Sequence, residues 1–270
     1  MHPIILIPAR MAATRLPDKP LADIGGEPMI VRVLQRATLS GIKDIVVACV
    51  GRPIAEAVER AGGRAVITDP GLPSGSDRIW QALQKIDPEK THDVIINLQG
   101  DMPTFDPAVI KKTLALLEDP AVDIATPAAV ITGEKERDDP AVVKTVVSGV
   151  GCQASDKFFF DTRLSAVALA KTDHPSPVTC RALYFSRQAV PYGDGLFYHH
   201  IGLYVYRRPA LEKFVALPPS VLEKREKLEQ LRALEAGMHI GVAVVDAVPL
   251  GVDTPETLQK AREWYEQAVN

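Results

Sequence analysis

The amino-acid sequence predicts an α/β protein built around a mostly parallel sheet. Short apolar runs without polar alternation, which are typical of strands buried on both faces, follow one another along the first half of the chain. Between them lie segments whose apolar residues recur at helical spacing. Repeated strand–helix–strand units of this kind form a parallel sheet that is covered by helices on both faces.

The first half of the chain contains four predicted strands and the helices that separate them. Apolar runs predict the strands, and apolar residues three or four positions apart predict the helices. In chain order these are a strand that begins at Ile4, a helix with Met29, Val33 and Ala37 that ends at Gly41, a strand over 45–50, a helix over 54–61, a strand over 65–67, a helix with Ile79, Leu83 and Ile86, a strand over 94–98, and a helix with Val109, Leu114 and Leu117.

From about residue 125 the pattern changes. Strands predicted over 141–148 and 181–186 flank a polar and irregular stretch, and a third strand is predicted over 200–207. This pattern favours hairpins or a mixed sheet. One highly charged helix is predicted between Ser220 and Ala236, followed by a core strand over 242–245. A final helix opens at Asp253-Thr254-Pro255, where proline lies near the favoured first helical position.

Composition narrows the classes of function. The chain has 270 residues, of which 46% are hydrophobic and 24% charged, and this is ordinary globular composition. A formal net charge of −3 argues against a nucleic-acid partner, which usually needs a basic face. No apolar run reaches the ~18–20 residues that span a bilayer, and the apolar amino-terminal stretch is too short for a signal peptide. We therefore expect a cytoplasmic protein with no membrane or nucleic-acid partner.

The loop after the first strand carries Arg10, Arg15 and Lys19. Loops that follow the strands of open α/β sheets are where these sheets bind ligands. Arginine offers a fork of donors that suits phosphate oxygens, and lysine acts as a compact point charge. Three cations on one such loop indicate a polyanion, and a nucleoside triphosphate is the obvious candidate. The alternative is a solvated basic loop with surface ion pairs.

Ser74 opens the segment Ser74-Gly75-Ser76-Asp77-Arg78, which lies just before a predicted helix. Backbone N–H groups at a helix start can bind an anion or the edge of a base. The alternative is that Ser74 or Ser76 caps the helix. The two interpretations are compatible.

Asp101 follows the fourth strand, and Asp253 follows the last core strand. Magnesium is usually held by one or two carboxylates together with substrate phosphates and waters. Two aspartates far apart in sequence are therefore enough for a metal site if the fold brings them together. The alternatives are a turn residue for Asp101 and a helix N-cap for Asp253.

Two further patterns carry less weight. Residues 149–154 fit the dinucleotide pattern G-x-G-x-x-A, but the aromatic run that follows does not look like a helix start, so a nicotinamide oxidoreductase is not favoured. His199 and His200 are adjacent in a predicted strand and would point to opposite faces, so they do not predict a zinc pair.

Together these blocks resemble the 3-deoxy-D-manno-octulosonate cytidylyltransferase family. The matching stretches run from Ile4 to about Lys144 and again from Ala182 to Gln259. The blocks that carry the resemblance are Pro8-Ala9-Arg10, Thr14-Arg15-Leu16-Pro17, Lys19-Pro20-Leu21, Ser74-Gly75-Ser76-Asp77-Arg78, Gln99-Gly100-Asp101, Ala182-Leu183-Tyr184-Phe185-Ser186-Arg187, His200-Ile201-Gly202, Leu222-Glu223, Leu228-Glu229-Gln230-Leu231-Arg232 and Gly251-Val252-Asp253-Thr254-Pro255.

The resemblance implies a Rossmann-like, three-layer αβα fold of the nucleotide-diphosphosugar transferase type. It implies a single domain over residues 1–270, with an inserted acceptor and dimerisation subregion at about 130–215, and a homodimer. The implied reaction joins CMP from CTP to 3-deoxy-D-manno-octulosonate, with magnesium, and releases pyrophosphate, as a step in lipopolysaccharide precursor synthesis.

The resemblance also implies roles for particular residues. Arg10, Lys19 and Ser74 would hold CTP, with Arg15 beside them, and Asp101 and Asp253 would hold the metal. Arg10, Lys19 and Asp101 would act in catalysis. Four residues would line the sugar site: Gln99, Arg187, His200 and Glu223.

Some features leave other interpretations open. Residues from about 149 to 179 look inserted between two strands that the family joins tightly, and Met102 stands where a glutamate is common. A sialic-acid or other sugar nucleotidyltransferase would share the fold and the metal. A non-catalytic nucleotide-binding protein would keep the cations but would not need the paired aspartates.

Overall fold

The computed structural model describes residues 1–11, 15–148 and 180–269. The glycine pattern at 149–154 and the predicted insertion at 149–179 lie outside these residues. The chain divides into two compact units that alternate along it. The first unit comprises Met1–Lys111, Gly202–Ala216 and Pro249–Asn270, and the second comprises Lys112–Ile201 and Leu217–Val248. The proposed single domain with a subregion at about 130–215 stays a prediction.

Strands and helices alternate through the described chain. The strands are β1 (Pro3–Ala9), β2 (Asp23–Ile24), β3 (Glu27–Pro28), β4 (Asp44–Cys49), β5 (Arg64–Ile67), β6 (Val94–Asn97), β7 (Ile124–Val130), β8 (Lys144–Ser148), β9 (Arg181–Ser186), β10 (Tyr198–His200), β11 (Tyr204–Arg207) and β12 (Ile240–Val245). The α-helices are α1 (Met29–Thr38), α2 (Arg52–Arg60), α3 (Gly75–Ile86), α4 (Ala108–Ala115), α5 (Glu134–Asp138), α6 (Arg208–Ala216), α7 (Val221–Glu226), α8 (Leu231–Glu235) and α9 (Pro255–Val269). Short 3₁₀ helices cover Lys19–Leu21 and Leu116–Glu118.

The main sheet of the first unit has the strand order β11-β6-β1-β4-β5. Strand β11 runs antiparallel to β6, and the other neighbouring pairs are parallel. Nearly all residues of β1, β4 and β6 are buried, as expected for strands with helices on both faces. Helix α1 packs against α2 and α3 against α6, and α1 and α3 both contact β1. These features confirm the α/β prediction.

The sheet of the second unit is mixed, in agreement with the sequence. Strands β7 and β12 are parallel, whereas β8 pairs antiparallel with β9 and with β10. Because β10 also pairs with β7, and β9 with β12, the five strands pair in a closed ring.

The prediction of one strand over 200–207 is wrong. Strand β10 ends at His200, and β11 begins only at Tyr204. Strand β10 pairs with β7 and β8 in the second unit, whereas β11 pairs with β6 in the first. An apolar run indicates that its residues are buried, but it does not show which strand they pair with. The break was therefore not predicted.

The prediction of one helix between Ser220 and Ala236 is also wrong, because the segment forms two short helices. Ser220 and Glu223 form a capping box at the start of α7. Lys227 then adopts a left-handed conformation with φ 56°, which ends α7 before α8 begins. Arg232 in α8 forms an ion pair with Glu223 across this turn.

A small apolar cluster in the first unit joins segments from opposite parts of the chain. Leu16, Ile24 and Met29 pack there with Val252 and Leu258. Leu16 lies in the loop that carries the predicted phosphate-binding cations, and Val252 directly precedes Asp253. The cluster therefore holds these two loops side by side.

A helix that crosses a membrane must be long and predominantly apolar. Among residues 1–11, 15–148 and 180–269, none of the helices combines the length and the apolar character that a membrane span requires.

Buried Asp87 provides a test of how the first unit is stabilised. Burial alone would raise the pKa of this carboxyl, but hydrogen bonds from Thr91, His92 and Arg208 hold the pKa well below its usual value. The stabilisation is therefore present above the ordinary aspartate pKa and is lost as the pH falls below it. We expect Asp87→Asn to lower the free energy of unfolding by about 3–5 kcal/mol, because it leaves the Arg208 charge buried without its counter-ion.

Urea unfolding at neutral pH measures this loss. The matched control is Asp246→Asn, which removes an exposed carboxylate paired with Lys112 and should cost less than about 1 kcal/mol. Equal losses in the two variants would contradict the prediction.

Candidate functional site

A cavity of about 390 Å³ opens in the first unit, where β1 and β6 end. This is the carboxyl edge of the parallel strands, where open α/β sheets bind ligands, and the volume suits a small molecule. The residues that line it are Pro8, Ala9, Arg10, Arg15, Leu16, Lys19, Pro20, Met29, Pro73, Ser74, Gly75, Arg78, Gln99, Gly100, Asp101 and Asp253.

The cavity gathers all six of the predicted nucleotide and metal residues. Arg10, Arg15 and Lys19 reach it from the loop after β1, and Ser74 reaches it from the start of α3. Because Arg78 also lines it, four cations face two carboxylates. A site with this charge balance suits a polyanion, although the whole chain has a net charge of −3.

The ammonium of Lys19 lies between the two predicted metal ligands. Its Nζ donates to Asp101 Oδ2 at 2.7 Å and to Asp253 Oδ1 at 2.8 Å. Burial lowers the pKa of Lys19, but the two carboxylates raise it by more, so the pKa lies above its ordinary value. Arg15 Nη2 lies 3.3 Å from Asp253 Oδ2. The structure therefore brings Lys19, Asp101 and Asp253 into direct contact.

Backbone hydrogen bonds bring the two aspartates together. The amide of Val252 donates to the carbonyl of Asp101 at 2.9 Å, so the loop after β6 is joined to the loop before α9. The amide of Leu250 donates to Thr104 Oγ1 at 3.0 Å, and the Tyr265 hydroxyl donates to the Pro103 carbonyl at 2.8 Å. These contacts place the two carboxylates on one side of the cavity.

The two candidate helix caps behave differently. Ser74 caps α3, because its side chain accepts from the Asp77 amide at 3.1 Å, as the sequence allowed. At the start of α9, the Thr254 hydroxyl accepts from the Thr257 amide at 3.3 Å. The carboxylate of Asp253 therefore faces Lys19 and Arg15 rather than the helix start.

Gly100 allows the loop after β6 to pass close to β1. A Cβ at this position would lie 2.8 Å from the carbonyl oxygen of Pro8, which is closer than real Cβ atoms come to other heavy atoms. Gln99 lines the cavity beside it, and its Nε2 lies 3.5 Å from Asn97 Oδ1. The glycine thus keeps Gln99 and Asp101 next to the end of β1.

Arg78 is a site residue that the sequence reasoning did not single out. Its side chain is buried and donates to Thr68 Oγ1 at 2.6 Å and to the Asp69 carbonyl at 3.1 Å. Burial, together with the nearby charge of Arg10, lowers the pKa of Arg78. The signal available in the sequence was its position in the first turn of the helix that follows Ser74-Gly75.

The other predicted sugar residues, Arg187, His200 and Glu223, belong to the second unit. Arg187 donates to three backbone carbonyl groups, those of Glu226, Pro140 and Lys227. Its own carbonyl accepts from Lys144, a fully buried lysine. Hydrogen bonds therefore fix both the side chain and the backbone carbonyl of Arg187.

Glu223 and His200 are also well enclosed. The Glu223 carboxylate accepts from Arg232 and from the Ser220 amide, and although burial opposes it, these contacts lower its pKa. The Nε2 of His200 lies 2.9 Å from Thr126 Oγ1, and its ring meets the edge of the Phe185 ring with centroids 4.9 Å apart. The predicted sugar-binding roles of these residues stay predictions.

Comparison with known proteins supports the family resemblance. Residues 4–240 match the family described as Cytidylyltransferase. The chain is 58% identical to the 3-deoxy-manno-octulosonate cytidylyltransferase of Parvibaculum lavamentivorans, over 97% of this chain and 92% of that protein. It is 54% identical to the protein of the same name from Rhodospirillum centenum, again over 97% and 92%.

A solved structure is similar over the whole chain. It is that of CMP:2-keto-3-deoxy-manno-octonic acid synthetase complexed with CTP, with a TM-score of 0.83 and 34% identity, covering 99% of this chain and 100% of that one. These findings confirm the expected fold class.

His200 makes a testable contribution to the pH dependence of stability. Burial, helped by the adjacent His199, lowers the pKa of His200 from 6.5 to about 3. The unfolded chain therefore binds a proton below about pH 6.5 that the folded protein does not bind. The free energy of unfolding should fall as the pH drops from 6.5, with a slope of up to about 1.4 kcal/mol per pH unit from this residue.

Urea unfolding between pH 5 and 7 measures that slope. We expect His200→Gln to reduce it, because glutamine can still meet Thr126 but does not titrate. His2→Gln, at an exposed position, serves as the control and should leave the slope unchanged. A slope that His200→Gln does not alter would contradict the lowered pKa.

Proposed function

The chain belongs to the cytidylyltransferase family, and from that premise we propose that it transfers the cytidylyl group of CTP to 3-deoxy-manno-octulosonate. Relatives more than half identical over nearly the whole chain carry that name. The observation that carries the proposal is the meeting of Lys19, Asp101 and Asp253, from three distant segments, at one cationic cavity.

The reaction is an in-line displacement at the α-phosphorus. The anomeric hydroxyl oxygen of the sugar acid bonds to that phosphorus, its proton passes to water, and the bond to the bridging oxygen breaks, so that pyrophosphate leaves. Phosphoryl and nucleotidyl transfers of this kind need positioning and charge neutralisation rather than covalent help from the protein. Arg10, Arg15, Lys19 and Ser74 are proposed to bind the triphosphate and to stabilise the charge that develops on it.

The paired aspartates fit a divalent metal, which we propose is magnesium. Their oxygens Asp101 Oδ2 and Asp253 Oδ1 already converge on one cationic atom, and hard oxygen donors are the ligands that magnesium prefers. When bound there, the metal would neutralise negative charge on the nucleotide phosphates. Both carboxylates are partly exposed, so nucleotide phosphates and water have room to complete the coordination.

We propose that Gln99, Arg187, His200 and Glu223 bind the sugar acid. Arg187 is the candidate partner of the sugar carboxylate, because a guanidinium has five N–H donors and the three carbonyl contacts found among the described residues do not use all of them. Action as a homodimer in the cytoplasm, without a membrane or nucleic-acid partner, stays a prediction.

Pyrophosphate release tests the function directly. The protein is incubated with CTP, magnesium and 3-deoxy-manno-octulosonate, and we expect stoichiometric pyrophosphate and CMP-sugar. Parallel incubations contain sialic acid in place of the sugar, or UTP in place of CTP. Release with sialic acid alone would favour a different acceptor, and no release with either sugar acid would favour a non-catalytic nucleotide-binding protein.

Arg10 and Asp101 should each matter for turnover. Arg10→Ala removes a donor to the triphosphate, and Asp101→Asn removes a charge from the proposed metal site. We expect each to lower kcat by about 10²–10³ while the circular dichroism spectrum stays unchanged. Asp246→Asn, a charge loss in the second unit, is the control. A near-normal rate in Arg10→Ala would remove Arg10 from catalysis.

A further inference from the structure

Lys19 occupies the position at which the two proposed metal ligands converge. Its Nζ is 2.7 Å from Asp101 Oδ2 and 2.8 Å from Asp253 Oδ1, so one ammonium satisfies an oxygen of each carboxylate. The Lys19 side chain is only 16% exposed, compared with 32% for Asp101 and 50% for Asp253. The ammonium is therefore the most enclosed member of the group.

The charges of this group already balance without a metal. Lys19 and Arg15 contribute two positive charges, and Asp101 and Asp253 contribute two negative ones. Ion pairs at contact distance in a partly enclosed site are stronger than in open water. A divalent cation that arrived alone would have to displace the ammonium, and the ammonium would then lose both of its partners.

The surroundings offer few further ligands to a free cation. Among the residues that the structure describes, no three aspartate, glutamate, histidine or cysteine side chains are grouped so that they could hold a metal. Magnesium bound through two carboxylates normally takes its other ligands from substrate phosphates and water. A triphosphate would supply those ligands and, at the same time, a new anionic partner for Lys19.

We propose that Lys19 is an internal counter-ion that keeps the two aspartates from binding a divalent metal until a nucleotide triphosphate is present. The phosphate oxygens of the nucleotide offer the ammonium new acceptors, and the two carboxylates can then bind the metal. This assignment rests on the proposed function. It gives Lys19 a role in the order of binding in addition to its role in the reaction.

Manganese binding to the nucleotide-free protein tests the proposal without any catalysis. Mn²⁺ prefers oxygen ligands as magnesium does, and electron paramagnetic resonance counts the ions that remain free. We expect wild type to bind Mn²⁺ alone weakly. Lys19→Met removes the charge but keeps an apolar stem of similar length, and it should bind Mn²⁺ at least about tenfold more tightly, because two carboxylates lose their counter-ion.

Three further variants complete the comparison. Lys85→Met, which removes an exposed lysine that donates to the Ile67 carbonyl, should match wild type. The double variant Lys19→Met, Asp253→Asn should lose the gain in affinity. Lys19→Gln provides a second neutral replacement in case the methionine variant does not fold. Folded Lys19→Met or Lys19→Gln protein that binds Mn²⁺ no more tightly than wild type would overturn the proposal.

Calorimetry with CTP separates this proposal from the function on which it rests. Wild type should bind CTP together with Mn²⁺ far more tightly than Mn²⁺ alone. If wild type does not bind the mixture, the proposed function fails. If wild type binds the mixture and the Lys19 variants gain no affinity for Mn²⁺, only the counter-ion role fails.

Discussion

The contact of the Lys19 ammonium with Asp101 and Asp253 is the interaction on which the site depends. It joins the loop after β1, the loop after β6 and the segment before α9 at a single atom. The contact forms because apolar and backbone interactions beside it hold the same segments. Leu16 packs in one cluster with Val252, and the Val252 amide donates to the Asp101 carbonyl. These uncharged contacts therefore position the charged side chains.

Local charge, rather than the charge of the whole protein, would favour a triphosphate at the proposed site. The chain has a net charge of −3, yet four cations and two carboxylates line one cavity. An anion approaching this cavity meets cations that the fold has already gathered there. Arg78 also lines the cavity, and hydrogen bonds to Thr68 and the Asp69 carbonyl fix its direction.

Much of the first unit could be predicted from the sequence, because buried parallel strands are continuous apolar runs and their ends mark the ligand site. Arg10, Lys19, Asp101 and Asp253, which line the cavity, were located in this way. The contact of the Lys19 ammonium with both aspartates could not be predicted, since it depends on contacts between distant segments. Strand β7 was missed because Pro127 lies within it, and proline usually argues against a strand interior. The break between β10 and β11 was missed because Ile201 and Leu203, which lie between the two strands, are themselves apolar and buried.

Lys19 and Asp253 are 234 residues apart in the chain, and this separation has a consequence for biosynthesis. A growing polypeptide contains β1, its basic loop and β6 long before Asp253 has left the ribosome. Until then Lys19 can contact only one of its two carboxylates, and Leu16 lacks Val252 as a neighbour. In a nascent chain the pocket would therefore be incomplete, and the chain could catalyse a reaction only late in translation.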